Sequence, residues 1–207
     1  RVVRDFTKKP LSFRITSHVD SPAGSGLGTS STLVVSILGA FAEWLKLPLG
    51  EYDMARLAYE IERLDLGMAG GKQDQYAATF GGFNYMQFLQ DDKVIVNPLR
   101  IRQRYQDELA HNLLLYYTET SHVSAKIIEG QIKNVKANNT SSIEAMHRLK
   151  QQAVQMKEAL LQGNIDGIGE ILNFGWEQKK KTARDISNPL LEDIYNTAIQ
   201  AGATGGK

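Results

Sequence analysis

The sequence contains no cysteine, so it can form neither a disulfide nor a thiolate metal site. Its four histidines are scattered, without the paired spacing typical of metal ligands. No apolar run approaches the roughly 20 residues that a membrane-spanning helix needs. The first residues do not form a charged-then-apolar leader. We therefore expect a cytoplasmic protein that does not act at a membrane.

The sequence also lacks an excess of either charge, because 24 basic residues stand against 23 acidic ones and the formal net charge is +1. So balanced a chain has no global field that would favour nucleic acid or an anionic membrane. The 207 residues are 42% hydrophobic, which is enough to bury the core of one or two domains. We expect a monomer or weak dimer whose partners are small molecules.

Hydrophobic periodicity predicts mixed structure up to about residue 120. The chain opens in what reads as a strand, and the alternating stretch "LSFRITSHVD" predicts a strand over 11–20. Apolar side chains nearly encircle a predicted helix over 29–46, where Phe41 and Trp44 are expected in the core. The other elements predicted in this part are a helix over 51–66, a short helix within 68–82, and strands over 83–88, 94–98 and 112–120.

Beyond Ser124 the predicted structure is helical, with helices over 141–162, 164–182 and 188–201. The change from mixed to helical texture predicts a domain boundary near Ala110, although no flexible linker marks it. We expect both ends of the chain to lie inside a longer protein, since it stops at "GATGGK".

The stretch "SPAGSGLGTSSTL" places a glycine loop directly before the predicted helix over 29–46. Gly24, Gly26 and Gly28 allow backbone amides to approach a ligand closely, and a helix start offers unpaired N–H groups and a positive dipole end. That combination suits a phosphate group. The hydroxyls of residues 29–31 could cap the helix or reach a metal bound to the phosphates. The alternative is a hydroxyl-capped helix after a flexible turn.

Two familiar phosphate motifs do not account for this loop. A Walker loop needs lysine at the helix start, and no lysine occurs between Ser21 and Lys46. The dinucleotide fingerprint G-x-G-x-x-G requires glycine where Thr29 stands. The Walker loop is excluded, and the dinucleotide match is weak.

A third pattern fits the loop closely. "PAGSGLGTSST" resembles the P-x-x-x-G-L-G-S-S-A signature of the GHMP kinases, from which only Thr29 and Ser31 depart. A second block, "ERLDLGMAGGKQDQYAATFGGFNYMQF", resembles the heptose-kinase branch of that family and, less closely, fucokinase-type proteins. The ending "AGATGGK" is similar to the start of the family's third glycine motif. These three matches occur in order and span nearly the whole chain.

The resemblance implies an α+β fold of two domains. Residues 1–110 would form an N-terminal domain like the second domain of ribosomal protein S5, and residues 111–207 a ferredoxin-like C-terminal domain that stops within the last glycine motif. The implied activity is ATP- and Mg²⁺-dependent phosphorylation of the anomeric hydroxyl of a heptose 7-phosphate, for nucleotide-activated heptose and surface glycans. The alternatives are a GHMP kinase for another sugar, of fucose or galactose type, and a catalytically silent nucleotide-binding module.

The resemblance also assigns roles to individual residues. Asp74 would be the catalytic base that faces the acceptor hydroxyl, and Ser30 and Glu62 would contact Mg²⁺. The substrate would meet Lys72, Gln73, Asp74 and His122. The residues expected to bind ATP are Pro22, Gly24, Ser25, Gly26, Leu27, Gly28, Thr29, Ser30 and Ser31.

Several of these assignments have structural alternatives. Periodicity alone does not choose between Glu60 and Glu62, which lie on opposite margins of one helix face. Asp74 could be a helix cap, and Lys72 could pair with Asp74, contact a substrate phosphate or be solvated. His122 stands where relatives often carry an arginine. The basic run over 179–181 could contact a phosphorylated sugar or form a solvated helix face. The final glycines could end a helix, while the family resemblance implies that they shape the nucleotide-phosphate pocket.

Overall fold

A computed structural model describes residues 1–7, 10–22, 24–118 and 124–207 of the chain. These residues divide into two compact units, one formed mainly by Arg1–Val96 and the other by residues 97–118 with Lys126–Lys207. Each unit contains its own hydrophobic clusters. Among the helices formed by the described residues, none has the length and hydrophobicity that crossing a membrane requires.

The elements up to residue 98 are mostly helical and include one hairpin. They are α1 (Val2–Phe6), α2 (Thr29–Leu45), α3 (Glu51–Tyr59), a π-helical turn (Glu60–Asp65), α4 (Gln73–Phe80), β1 (Asn84–Phe88) and β2 (Val94–Pro98). Helix α2 ends where Lys46 adopts a left-handed conformation, and α3 begins where the Asp53 carboxylate accepts a hydrogen bond from the Gly50 N–H. The strands β1 and β2 form a two-stranded sheet. Asp91 and Asp92, both with positive φ, form the turn between them.

The core of the first unit lies between α2 and α3. Leu38 and Phe41 of α2 are buried against Ala58 of α3, whose small side chain lets the two helices approach closely. A second cluster joins Ala55 of α3 to Tyr76 of α4 and to β2. Helix α4 is therefore held on the same helical layer as α2 and α3, which fixes where its N-terminus lies.

The second unit is helical. Its elements are α5 (Gln103–Asn112), α6 (Ser124–Lys136), α7 (Thr140–Gln162), α8 (Asp166–Lys180), a 3-10 turn (Arg184–Ile186) and α9 (Pro189–Gln200). Asparagine side chains cap α7 and α9, because Asn139 and Asn188 accept hydrogen bonds from the N–H groups of Ser142 and Leu191. The main core of this unit packs α7 against α8 through Ala159, Leu160, Ile165 and Ile168.

The helices predicted from periodicity after residue 28 are found with ends within a few residues of the predicted ones, and the strands over 83–88 and 94–98 are confirmed. Three strand predictions are wrong. Residues 10–20 form no strand, and α1 occupies the start of the chain. In the stretch predicted as a strand over 112–120, Asn112 is the last residue of α5, and residues 113–118 form no strand. A strand needs a hydrogen-bonded neighbour, and none of the described residues supplies one to either segment.

Trp44 is also placed differently from its prediction. Its side chain is 53% exposed, while Phe41 is buried as expected. Trp44 lies near the C-terminal end of α2, where its ring contacts Phe13 and Phe41. Trp44 also lines a cavity of about 760 Å³ between the 13–21 segment and α2. This cavity reaches Leu27 and Thr29, so it opens beside the glycine loop.

The α+β class is confirmed, since helices and a sheet occur in one chain. The described residues contain only the two-stranded sheet, so the S5-like and ferredoxin-like sheets of the two domains stay predictions. The domain boundary near Ala110 also stays a prediction.

Candidate active site

The glycine loop turns sharply before α2. Gly24, Gly26 and Gly28 have φ values of 79°, 77° and 71°, which place all three in the left-handed region that favours glycine. The Ser25 N–H donates to the Pro22 carbonyl at 3.2 Å and closes the turn. Left-handed backbone in such a loop turns successive N–H groups toward one side, as in known phosphate-binding loops.

The start of α2 keeps its amides available. Gly28 is the N-cap residue, and no side chain caps the helix, so the hydroxyls of Thr29, Ser30 and Ser31 do not serve as its cap. The first N–H groups of the helix therefore remain as potential donors at the positive end of the dipole. Nearby, the Ser25 hydroxyl is buried without a hydrogen-bond partner among the described residues. An anionic ligand with acceptor oxygens would satisfy both features.

The hydroxyls of Ser30 and Ser31 are directed at one carboxylate. Ser30 Oγ donates to Glu62 Oε1 at 2.9 Å, and Ser31 Oγ donates to Glu62 Oε2 at 2.6 Å. Glu62 and Ser31 are 0% and 1% exposed, whereas Ser30 is exposed. The hydrogen bond from Ser30 thus connects the buried Glu62 carboxylate to an exposed residue beside the glycine loop.

The π-helical turn explains why Glu62 rather than Glu60 takes this position. The chain switches from α to π geometry at Glu60, and the additional residue in that turn changes which side chains face the interior. Glu62 becomes buried, while Glu60 bonds Arg1 and Arg56 on the other side. Periodicity assumes 3.6 residues per turn, so it left the choice open.

Asp74 lies at the start of α4, within contact of the glycine loop. A Cβ built on Gly28 would be 3.5 Å from Asp74 Cγ, so the Asp74 carboxyl group and the loop backbone are close neighbours. Asp74 is exposed, does not cap α4 and has no ion-pair partner among the described residues. The structure therefore brings the predicted base and the predicted phosphate loop to one place.

Lys72 is held away from Asp74. Its ammonium group forms an ion pair with Asp92 in the hairpin turn, and it lies 4.9 Å from the ring centroid of Tyr59. The hydrogen bond and charge of Lys72 hold the pKa of Asp92 below its usual range. Of the alternatives raised by the sequence, a Lys72–Asp74 pair is not observed. Gln73, the first residue of α4, is exposed.

The remaining sequence candidates lie elsewhere. His122 falls outside the described residues. In the basic run, Lys180 forms ion pairs with Glu177 and Glu192. Burial, and to a smaller extent the charge of Lys207, lowers the pKa of Lys179. The glycine-rich end packs on α8, because a Cβ on Gly205 would be only 1.8 Å from the Gly169 carbonyl oxygen.

Gln75 is a site residue that the sequence interpretation missed. It is 0% exposed, and its Nε2 donates to Glu62 Oε2 at 2.5 Å and to Ser31 Oγ at 3.1 Å. No local sequence pattern marked it, because its burial depends on Ser31 and Glu62, which belong to other segments of the chain. A buried polar side chain requires a hydrogen-bond partner, and Glu62 and Ser31 supply it to Gln75.

The donor set fits Mg²⁺ in the form that nucleotide sites use. Among the described residues, no three histidine, aspartate or glutamate side chains gather in a cluster that could bind a metal alone. Mg²⁺ is commonly held by one or two carboxylates together with substrate phosphates and water. Glu62 and the exposed hydroxyl of Ser30, next to a phosphate-type loop, supply the protein share of such a site.

Comparisons with known proteins identify the family of the chain. The model of the GHMP kinases N terminal domain matches residues 1–82, and that of the GHMP kinases C terminal matches residues 156–207. The chain belongs to the GHMP kinases. The N-terminal match contains the glycine loop, Glu62 and Asp74, so the family's model covers the cluster described above.

Individual members of this GHMP kinase family resemble the chain over all or most of its length. It is 54% identical to D-glycero-alpha-D-manno-heptose 7-phosphate kinase of Campylobacter jejuni over 100% of the chain and 60% of that protein. It is 30% identical to L-fucokinase/L-fucose-1-P guanylyltransferase of Bacteroides fragilis over 84% of the chain and 18% of that protein.

A solved structure is similar as well. The crystal structure of a D-glycero-D-manno-heptose 1-phosphate kinase from Bacteroides thetaiotaomicron matches with a TM-score of 0.78 and 50% identity, covering 100% of this chain and 57% of that one. The chain therefore spans about 60% of the length of its heptose-kinase relatives.

Proposed function

We propose that this GHMP kinase uses ATP and Mg²⁺ to phosphorylate the anomeric hydroxyl of D-glycero-D-manno-heptose 7-phosphate, giving the 1,7-bisphosphate and ADP. The observation that carries the proposal is the convergence of the glycine loop, the Ser30–Glu62 pair and Asp74 within one unit. The 54% identity to a heptose 7-phosphate kinase supports the choice of sugar.

The loop amides and the start of α2 would bind the triphosphate. Ser30 and Glu62 would hold Mg²⁺, which when bound neutralises charge on the β- and γ-phosphates. The buried Ser31 would keep the Glu62 carboxylate in place through its 2.6 Å hydrogen bond. Because phosphoryl transfer depends mainly on positioning and charge neutralisation, these groups need no strong nucleophile beside them.

Asp74 would orient the sugar hydroxyl and accept its proton. The sugar oxygen forms a bond to the γ-phosphorus as the bond from that phosphorus to the β,γ-bridging oxygen breaks, and ADP leaves. The proton of the hydroxyl passes to the Asp74 carboxylate. An exposed carboxylate with no partner among the described residues is free to make that contact.

The other ligand contacts are proposals of the same kind. Lys72, Gln73 and His122 would contact the sugar phosphate, Lys72 after exchanging Asp92 for a substrate phosphate oxygen. The cavity beside the loop has a volume typical of small-molecule sites. A cytoplasmic location, a monomeric or weakly dimeric state and a role in supplying nucleotide-activated heptose for surface glycans also belong to this proposal.

The names of the two heptose-kinase relatives differ in the phosphate they specify, at position 7 in one and position 1 in the other. The test is an ADP-release assay on the full-length protein with heptose 7-phosphate, heptose 1-phosphate, fucose and galactose. Turnover selective for heptose 7-phosphate supports the proposal. Selective turnover of another sugar would mean that this sugar, and not heptose 7-phosphate, is the substrate. ATP binding without turnover of any sugar would indicate a silent nucleotide-binding module.

A further inference from the structure

Gln75 has no part in the chemistry proposed so far, although it lies at the centre of the site. Its amide is fully buried and joins three segments: Ser31 at the start of α2, Glu62 in the π-helical turn, and its own helix α4. It also directly follows Asp74 in the chain. A single side chain thus connects the segment that carries the base to the proposed Mg²⁺ carboxylate.

The hydrogen bonds around Glu62 are unevenly shared between its oxygens. Oε2 accepts from both Ser31 and Gln75, while Oε1 accepts from the exposed Ser30. The two buried donors therefore fix the rotation of the carboxylate. They hold Oε2 in the interior and leave Oε1 on the side of Ser30.

The other half of the Gln75 amide has no such partner. Its Oε1 is buried without a hydrogen bond to any described residue. A buried acceptor without a hydrogen bond lowers the stability of the fold. An apolar side chain would fill the same space without that cost. Fold stability alone does not account for a glutamine here, whereas the need for an N–H donor aimed at Glu62 does.

We propose that Gln75 is a positioning residue that orients the Glu62 carboxylate for Mg²⁺ and keeps it in register with Asp74. This inference rests on the proposed function, because it assumes that Glu62 holds Mg²⁺. Gln75 touches neither metal nor substrate and acts through Glu62. Partners that orient a metal-binding side chain are commonly worth 10- to 100-fold in affinity or activity, so we expect an effect of about that size.

The test compares Gln75→Met with wild type in the full-length protein. Methionine keeps most of the volume and flexibility of glutamine but donates no hydrogen bond. We expect Mg²⁺ affinity of the ADP complex, measured by calorimetry, to fall about 10- to 100-fold. The KM for the sugar and the thermal midpoint should stay close to wild type, because the variant also removes the unsatisfied amide oxygen.

Gln152→Met is the matched control. Gln152 is a partly buried glutamine that donates to the Ile171 carbonyl in the other unit. Its replacement should lower the thermal midpoint without changing Mg²⁺ affinity. Gln75→Asn is the second variant, in case the methionine prevents folding: it keeps the amide, which is shorter by one methylene, and should lose Mg²⁺ affinity in the same way.

A Gln75 variant that folds and binds Mg²⁺–ADP like wild type overturns the inference, as does one that loses only thermal stability. Failure of the proposed function is a separate result. It would be seen as wild-type protein that turns over no sugar, and the calorimetric comparison of Mg²⁺ affinity would still decide whether Gln75 orients Glu62.

Discussion

Ser30 and Glu62 are 32 positions apart in the chain and are joined by a 2.9 Å hydrogen bond from the Ser30 hydroxyl to Oε1 of Glu62. One residue is exposed at the start of α2, and the other is buried in the π-helical turn. The bond ties a phosphate-type loop to a carboxylate whose negative charge has no cation beside it in the described cluster. A buried charge of this kind is expensive unless it is paired, which is the physical reason to expect a cation there.

Replacing Ser30 by alanine should reduce Mg²⁺-dependent turnover far more than stability. Ser30 is exposed and does not cap α2, so its loss removes the proposed metal contact and one hydrogen bond to Glu62, while Ser31 and Gln75 still hold that carboxylate. We expect kcat to fall about 10- to 100-fold, measured by ADP release across a Mg²⁺ titration. Ser36→Ala, which removes a hydroxyl bonded within the same helix, is the control. A Ser30→Ala protein that simply unfolds would show that the hydroxyl has a structural role.

Asp74→Ala should abolish most turnover while ATP still binds. A positioned general base contributes roughly 10²- to 10⁴-fold to the rate. Asp74 does not cap α4 and forms no ion pair with another described residue, so its loss should not affect the fold. Asp166→Asn changes an acidic residue in the first turn of α8 and serves as the control. Turnover equal to wild type in Asp74→Ala would remove Asp74 from its role as the base.

Gly205→Ala and Gly206→Ala should differ sharply in stability. A Cβ at Gly205 meets the backbone oxygen of Gly169, whereas a Cβ at Gly206 lies 3.6 Å from Tyr195 in ordinary contact. We expect Gly205→Ala to lower the free energy of unfolding by about 1–3 kcal/mol and Gly206→Ala by no more than about 0.5 kcal/mol, as measured in urea. Equal losses would mean that the end of the chain does not pack against α8 as described.

The ion pair of Lys72 and Asp92 predicts a specific pH dependence. Since Lys72 lowers the pKa of Asp92 in the folded protein, the pair stabilises the fold above the unfolded pKa of aspartate, about 4. That contribution is lost as pH falls through the lowered folded value. In NMR titrations, Lys72→Met should return the Asp92 pKa toward its ordinary value, and Lys93→Met in the same turn should not. An unchanged Asp92 pKa in Lys72→Met would contradict the pairing.

Helices such as α2 and α7 were predictable because their apolar residues recur at helical spacing. Helices α1 and α5 were not predicted. The prediction of a strand over 11–20 failed, because alternation shows only that a segment suits a sheet. Whether it pairs depends on a neighbouring strand that the described residues do not supply. The prediction that Trp44 lies in the core failed for a similar reason, since burial at the end of a helix depends on which other segments pack there.

Within the site, the glycine loop could be read from its own residues, while Glu62 and Asp74 came only from the family resemblance. The π-helical turn that buries Glu62 has no signal in hydrophobic periodicity. Gln75 was missed because its importance lies in the two side chains it contacts, and both belong to other segments of the chain. A local pattern does not reveal such tertiary hydrogen bonds.

The proposed kinase activity is tested most directly by a ³¹P NMR spectrum of the products formed by the full-length protein from ATP, Mg²⁺ and D-glycero-D-manno-heptose 7-phosphate. We expect ADP and a new phosphate ester on the anomeric carbon in equal amounts, with the 7-phosphate signal retained, and no new ester with Asp74→Ala. Unchanged ATP and sugar phosphate with the wild-type protein, or a phosphate transferred to another hydroxyl, would contradict the proposed activity.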